Sequence, residues 1–204
     1  MLYEIAHIIR EKFGFLWEMV ECVNGWLFTF RYRRKLKDIN KLLAPLSSKY
    51  IVRQTTEMDG KSLTQFFNEQ PEEAFEFFKP HKFDEKSIKR IIYNKAFQTF
   101  TVTDGDCILG YFFLRSFFNG KCFFGYIVDY SVRGKGIGKL MIKCAEKIAV
   151  YEGLRVFASV SPENVASLNS FNASSNIKII KTLDNGYYYI EVTPRTTNDT
   201  KTTV

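Results

Sequence analysis

Apolar residues along this chain fall into two periods. Through Leu2, Ile5, Ile8, Ile9, Phe13, Leu16, Met19, Val20 and Val23 they recur every three or four positions, the spacing of one helix face. Gly25 is expected to end or bend that helix. Trp26, Leu27 and Phe28 then lead into a basic run at residues 31–37, and a short helix over 38–43 is expected to stop near Pro45. From Tyr50 the pattern changes. Residues 50–55 alternate as a first strand, and a helix from Asp59 or Gly60 to about Asn68 puts Leu63, Phe66 and Phe67 on one face. Pro71, Glu72 and Glu73 suit a new helix start, with proline in the first turn and acids at the positive end. An aromatic patch follows (Phe75, Phe77, Phe78, Phe83, with His81 among them), and Asp84 caps a helix carrying Ile88, Ile91 and Ile92.

The second half alternates strand and helix. Strands over about 96–103, 107–118 and 121–129 are separated by Asp104-Gly105 and Asn119-Gly120, both tight-hairpin signals, so they form an antiparallel meander. A helix from Gly138 to about Tyr151 buries Leu140, Met141, Cys144, Ala145, Ile148 and Ala149 and keeps Lys139, Lys143 and Lys147 wet. The strand at 154–160 follows a helical crossover and therefore lies parallel to the strand before it. A short helix over 165–173 and a hairpin of 177–183 with 187–192 close the pattern. The expected organisation is a helical extension (1–49), one α+β domain with a mixed sheet of about seven strands (50–192), and a disordered Thr/Asn-rich tail (193–204).

Composition narrows this little. The apolar share of 46% and aromatic share of 16% support a sizeable core in 204 residues. The net charge of +7 suits an anionic ligand, but more than half of the excess lies in residues 1–49, and the spread does not single out nucleic acid. Cys22, Cys107, Cys122 and Cys144 form no Cys-x-x-Cys pair, and His7 and His81 are not spaced with them as ligands; no metal is expected. Four reduced thiols and no secretory signal imply the cytoplasm. The extension is expected to pack on the domain or on a second copy; its sharper reading is a peripheral membrane contact made by aromatics beside a basic cluster, and a docking helix for another protein is a third.

The candidate chemistry sits at residues 125–143. An apolar strand ends at Asp129, a turn carries Gly134, Gly136 and Gly138, and an amphipathic helix begins. The first N–H groups of such a helix are free, and its dipole is positive there, so the turn is built for phosphate, with Arg133, Lys135 and Lys139 adding charge. The run is neither a dinucleotide fingerprint nor a P-loop. Arg133-x-x-Gly136-x-Gly138 between strand and helix resembles the coenzyme A pyrophosphate loop of the GNAT superfamily of acetyl-CoA-dependent N-acyltransferases. The resemblance covers about residues 50–192. It implies a GNAT-like fold with a splayed central parallel pair, acetyl-CoA as cosubstrate, and a small-molecule amine as acceptor. It further implies that the backbone of Arg133, Gly134, Lys135, Gly136, Ile137 and Gly138 holds the pyrophosphate, that Ile127 and Val128 face the thioester, and that Asn164 and Ser167 touch the cofactor arm.

One position departs from the family. A tyrosine able to protonate the departing thiolate often stands seven residues after the asparagine; here it is Phe171, and Ser175-Asn176 replaces the usual Gly-Phe. Another acid, water, or a non-catalytic acyl-CoA-binding role remain as readings. An ammonium acceptor must lose a proton before it attacks. His81 is the expected base, in a substrate-pocket segment with Phe78, and Asp129, Glu73 and Glu76 are alternatives; Tyr126 is placed at the pocket beside them. His81 packed among phenylalanines and Asp129 holding a turn are the structural counterparts of those assignments. The acceptor is open, with an amino sugar as one candidate.

Overall fold

The computed structural model describes residues 14–47 and 49–195. The upstream part of the first apolar stripe, Leu2 to Phe13, and residues 196–204 of the expected tail lie outside the described residues. Seven strands form one mixed sheet: β1 (Ile51–Gln54), β2 (Phe97–Asp104), β3 (Cys107–Ser116), β4 (Lys121–Val128), β5 (Arg155–Val160), β6 (Ser175–Thr182) and β7 (Tyr188–Pro194). The order across the sheet is β1-β2-β3-β4-β5-β7-β6, and every neighbouring pair is antiparallel except β4 and β5. The two meander turns close at Gly105 (φ 55°) and Gly120 (φ 83°), a region that favours glycine.

Alternation along the strands builds a core on each side of the sheet. Phe100, Val102, Phe112, Leu114, Cys122 and Phe124 face the helix α5 (Ile137–Glu152), which buries Met141, Ile142, Cys144, Ala145 and Ile148 against them. On the other face, Tyr111, Phe113 and Ile127 meet Leu63, Phe66 and Phe67 of α3 (Gly60–Asn68) and Ile88 of α4 (Glu85–Tyr93). Asp84 caps α4 through the Ser87 N–H, as its position before the apolar run implies. The start expected at Pro71 yields only one 3-10 turn, Glu72–Phe75. Lys79 precedes Pro80, which bars a continuing helix there.

The extension differs from expectation in one respect. Helix α1 (Gly14–Leu36) passes through Gly25 without interruption, and α2 (Ile39–Leu43) follows. Glycine costs a helix interior about 1 kcal/mol but does not break it. Here its lack of a side chain is used, because a Cβ on Gly25 would come within 2.8 Å of Asn94 Oδ1. The same helix is bolted to the domain. Asn24 Nδ2 donates to Ser116 O (2.9 Å) and Asn24 Oδ1 accepts from Phe118 N–H (3.2 Å). Arg31 reaches Phe118 O, Lys35 reaches Glu152 O, and Glu21 pairs with Arg115. Phe28, fully buried, stacks on Tyr32 in the α5-side core. Among the described residues, no helix is long and apolar enough to cross a membrane.

Candidate active site

The site is a gap in the sheet. The parallel ladder between β4 and β5 holds only from Lys121↔Arg155 to Phe123↔Phe157 and then ends, while β4 continues to Val128 along β3. Asp129 N–H donates to Leu109 O on the β3 side. Since successive N–H groups on a strand point to opposite edges, those of Val128 and Tyr126 face the gap. A cavity of about 430 Å³ opens there, bounded by Tyr126, Ile127 and Val128 on β4.

At one end of the cavity lies the glycine turn. Gly134 and Gly136 have φ of 80° and 82°, and a Cβ at either would meet nothing within 4 Å, so backbone conformation and not crowding requires glycine. Gly138 is different: a Cβ there would come to 3.2 Å from the Tyr126 ring. The first helical bond of α5 runs from Leu140 N–H to Gly136 O. The N–H groups of Ile137, Gly138 and Lys139 precede it, and no side chain caps them. Three donors, the helix dipole, Arg133 and Lys139 thus converge on the cavity wall. Arg133 is held over the Tyr130 ring at 4.3 Å. Lys135 belongs to the turn but does not line the cavity. This donor set fits a diphosphate.

The opposite wall is α6 (Val165–Ser174), capped by Asn164, whose side chain accepts from Ser167 N–H (3.0 Å). Ser167 Oγ is 3.0 Å from the Tyr126 hydroxyl, and Ser170, one turn on, reaches the same hydroxyl. Burial pushes the Tyr126 phenol above its usual pKa, against the pull of the two serines, so it remains protonated. Phe171 is buried with its ring edge-on to Tyr126, 6.0 Å between centroids. The hydroxyl missing at 171 is therefore present close by, carried on β4. Ser170 escaped the sequence reading, although its spacing of three from Ser167 puts both on one helix face.

The far end is formed by the 3-10 turn and the chain after it. Glu73, Glu76, Phe77 and Phe78 line the cavity there, and Glu163 adds a third carboxylate at the α6 end. His81 is not brought to this wall. Its ring lies edge-on among Phe67, Phe83, Phe97, Tyr111 and Phe113, with Nδ1 2.8 Å from Lys82 O and Nε2 3.2 Å from the Tyr111 hydroxyl. Burial lowers its pKa, which the Lys82 carbonyl and Asp84 only partly offset. Its aromatic neighbours draw it into the core beneath Phe78, so the geometry gives it a packing role.

Asp129 also lies outside the wall. Its carboxylate accepts from Ser131 N–H (2.8 Å), from Ser131 Oγ and from Gln70 Nε2 (3.1 Å), while Gln70 Oε1 accepts from Tyr130 N–H (2.9 Å). Burial raises its pKa, but these bonds outweigh it and leave the carboxyl below its ordinary range. Asp129 and Gln70 together tie the end of β4 to the end of α3. No sequence signal marked Gln70, which acts across 59 positions.

Comparison with known proteins accords with this geometry. Residues 62–173 match the model of the acetyltransferase (GNAT) family. No curated protein matches the sequence. The fold resembles that of the GNAT domain of S. lividans PAT, with a TM-score of 0.60, 18% identity, and 70% of this chain and 89% of that chain covered. It also resembles AAC(6')-Ib in complex with paromomycin and acetyl-CoA (TM-score 0.58, 14% identity, 76% and 99% covered). A third similar structure is the PaiA N-acetyltransferase of Thermoplasma acidophilum with coenzyme A (TM-score 0.58, 16% identity, 72% and 99% covered). The chain belongs to the GNAT acetyltransferase family.

Proposed function

We propose that the protein transfers an acetyl group from acetyl-CoA directly to a primary amine of a small cationic acceptor. The observation that carries this reading is the splay of β4 from β5, with unpaired helix N–H groups at one end of the resulting cavity and carboxylates at the other. The backbone of residues 133–138 holds the diphosphate, with Arg133 and Lys139 beside it. The Val128 N–H, pointing into the gap, polarises the thioester carbonyl. Asn164 keeps its Nδ2 free of the helix cap and faces the same cavity.

The acceptor's ammonium is drawn by Glu73 and Glu76, which take its proton directly or through water. The free amine then attacks the acetyl carbon, a C–N bond forms, the C–S bond breaks, the sulfur leaves with the electron pair, and the nitrogen sheds its second proton to water as the neutral amide forms. Tyr126 protonates that sulfur and is reprotonated through Ser167 or Ser170. Burial keeps the phenol in its protonated form, so a proton is present beside the departing sulfur, and no base stands there to take one from an ammonium. An amino sugar is the acceptor class of choice: it is cationic and polar enough for a carboxylate rim, and AAC(6')-Ib is seen with one in a similar fold.

Thiol release from acetyl-CoA, measured against amino sugars, polyamines and amino acids, tests the proposal. Amine-dependent release with acetylated product is expected. Phe171 favours a second reading, a CoA-binding protein without turnover; calorimetric binding of acetyl-CoA with no release for any amine would establish it.

A further inference from the structure

A carboxyl group is buried where helix α1 meets the domain. Glu152, the last residue of α5, is 1% exposed, and its Oε2 accepts from Gln98 Nε2 (2.8 Å). Its Oε1 is buried with no partner among the described residues, and so is Gln98 Oε1. Gln98 Nε2 also reaches Ser116 Oγ (3.4 Å), and the fully buried Cys122 thiol feels the charge of the same carboxyl. Groups from β2, β3, β4 and α5 thus meet in one polar cluster. Helix α1 closes it: Asn24 Nδ2 donates to Ser116 O (2.9 Å), and Lys35 Nζ donates to the Glu152 main-chain oxygen (3.0 Å).

An ionised carboxylate taken out of water needs several donors, and this one has a single amide. Lys35, on α1, is the cation that acts on it, but the Lys35 ammonium is bonded to the main chain and not to the carboxyl. The strands bring no charge of their own: β2 and β3 supply Gln98 and Ser116, and β4 supplies Cys122, which burial holds as the neutral thiol. Burial therefore favours the acid form of Glu152 and pushes its pKa up to about 7. Once ionised, the group can be hydrated only if a neighbour moves away. The strands β2, β3 and β4 are paired on both sides within the sheet. Helix α1 is peripheral, with Val20, Val23, Trp26 and Phe30 exposed on its outward side, and is the element freest to move. We propose that Glu152 is a proton-operated latch on α1: with the carboxyl protonated the helix stays docked, and with it ionised the helix lifts from the domain far more often. The docked state binds this proton more tightly than the undocked state does, so docking is strongest at low pH and weakens as pH rises through 7. With an ordinary carboxyl of 4.5 when α1 is undocked and about 7 when it is docked, the undocked fraction grows about tenfold from pH 6 to pH 8.

Amide hydrogen exchange of the full chain at pH 6, 7 and 8, corrected for the intrinsic rate at each pH, tests this. Protection over residues 20–36 should fall about tenfold from pH 6 to pH 8, while protection in β3 and β4 stays constant. Glu152→Gln keeps the shape of the group and removes its charge, so α1 should be equally protected at every pH. Lys35→Met removes the cation that favours ionisation, so the fall should extend to higher pH; this variant carries the test if Glu152→Gln does not fold. Protection of α1 that ignores pH, a fall that persists in Glu152→Gln, a fall shared equally by β3 and β4, or a transition unmoved by Lys35→Met would each overturn the proposal.

Discussion

The two ends of the cavity are built from different materials. The end proposed for the diphosphate is backbone: free N–H groups of Ile137, Gly138 and Lys139, presented by glycines at 134 and 136 with positive φ. The end proposed for the acceptor is side chain: Glu73, Glu76, Phe77 and Phe78 on a single 3-10 turn and the loop after it. The comparison teaches that backbone offers the same donors whatever side chains stand beside it, whereas side chains on a loop are free to change with the substrate.

Substitutions can break or sharpen this contrast. Between the two ends, Tyr126→Phe should lower kcat about 10² to 10³-fold with little change in either KM, since it removes a proton donor and leaves both binding ends intact. A more acidic leaving thiol or phenol in the acyl donor should recover most of the loss; a structural role for Tyr126 would show no such rescue. At the backbone end, Gly136→Val forces a β-branched residue to φ near 82° and should weaken acetyl-CoA binding about 10- to 100-fold in calorimetry, with the acceptor KM unaltered. At the side-chain end, Glu73→Gln/Glu76→Gln should raise the acceptor KM about tenfold and leave acetyl-CoA binding unchanged, a modest effect because both carboxylates are exposed. Equal effects on both substrates would dissolve the division between the ends.

The smallest effect on turnover is expected at His81. His81→Phe should keep kcat within about threefold at pH 8 but cost about 1–2 kcal/mol of stability, because the buried Tyr111 hydroxyl loses its partner. The acid side of the stability curve carries a sign. His81 has a folded pKa below its usual 6.5, so the unfolded chain takes up the proton first as pH falls. Stability contributed by the neutral ring is present above pH 6.5 and is lost as pH drops through the folded value. The wild-type Tm should therefore fall between pH 7 and pH 5 more steeply than that of the variant. Loss of turnover with an unchanged Tm would restore His81 as the base.

Glu152 shows the opposite sign, remote from the chemistry. It is 1% exposed, held by Gln98 Nε2 at 2.8 Å, and burial pushes its pKa up to about 7, against Gln98 and Lys35. A raised carboxyl favours the folded state below about pH 4.5 and loses that advantage as pH rises toward 7. Glu152→Gln should accordingly raise Tm at pH 8 and change it little at pH 5.

Much of the fold was legible because its signals are local. Asp104-Gly105 and Asn119-Gly120 announce their turns, Asp84 announces α4, and the change from period two to period 3.6 at Gly136 announces α5. Gly25 misled because glycine reads as a helix stop, while its use here, closeness to Asn94, depends on a residue 69 positions away. The place of His81 was hidden for the same kind of reason. A histidine in an aromatic segment has the right pKa for a base, but five rings from α3, β2, β3 and its own loop turn it inward.

The sequence by itself determined the glycine turn and its free helix N–H groups, because φ at a glycine and the direction of the first N–H groups of a helix are properties of a dozen consecutive residues. It determined the order of strands and helices for the same reason. Only the tertiary structure decided which side chains line the cavity. Tyr126 and Phe171 are 45 positions apart in the chain, and the approach of their rings is visible only once β4 lies against α6. The carboxylates at 73 and 76, and not the histidine at 81, face the cavity because a 3-10 turn and a proline set the direction of that loop, and packing against β3 sets the rest.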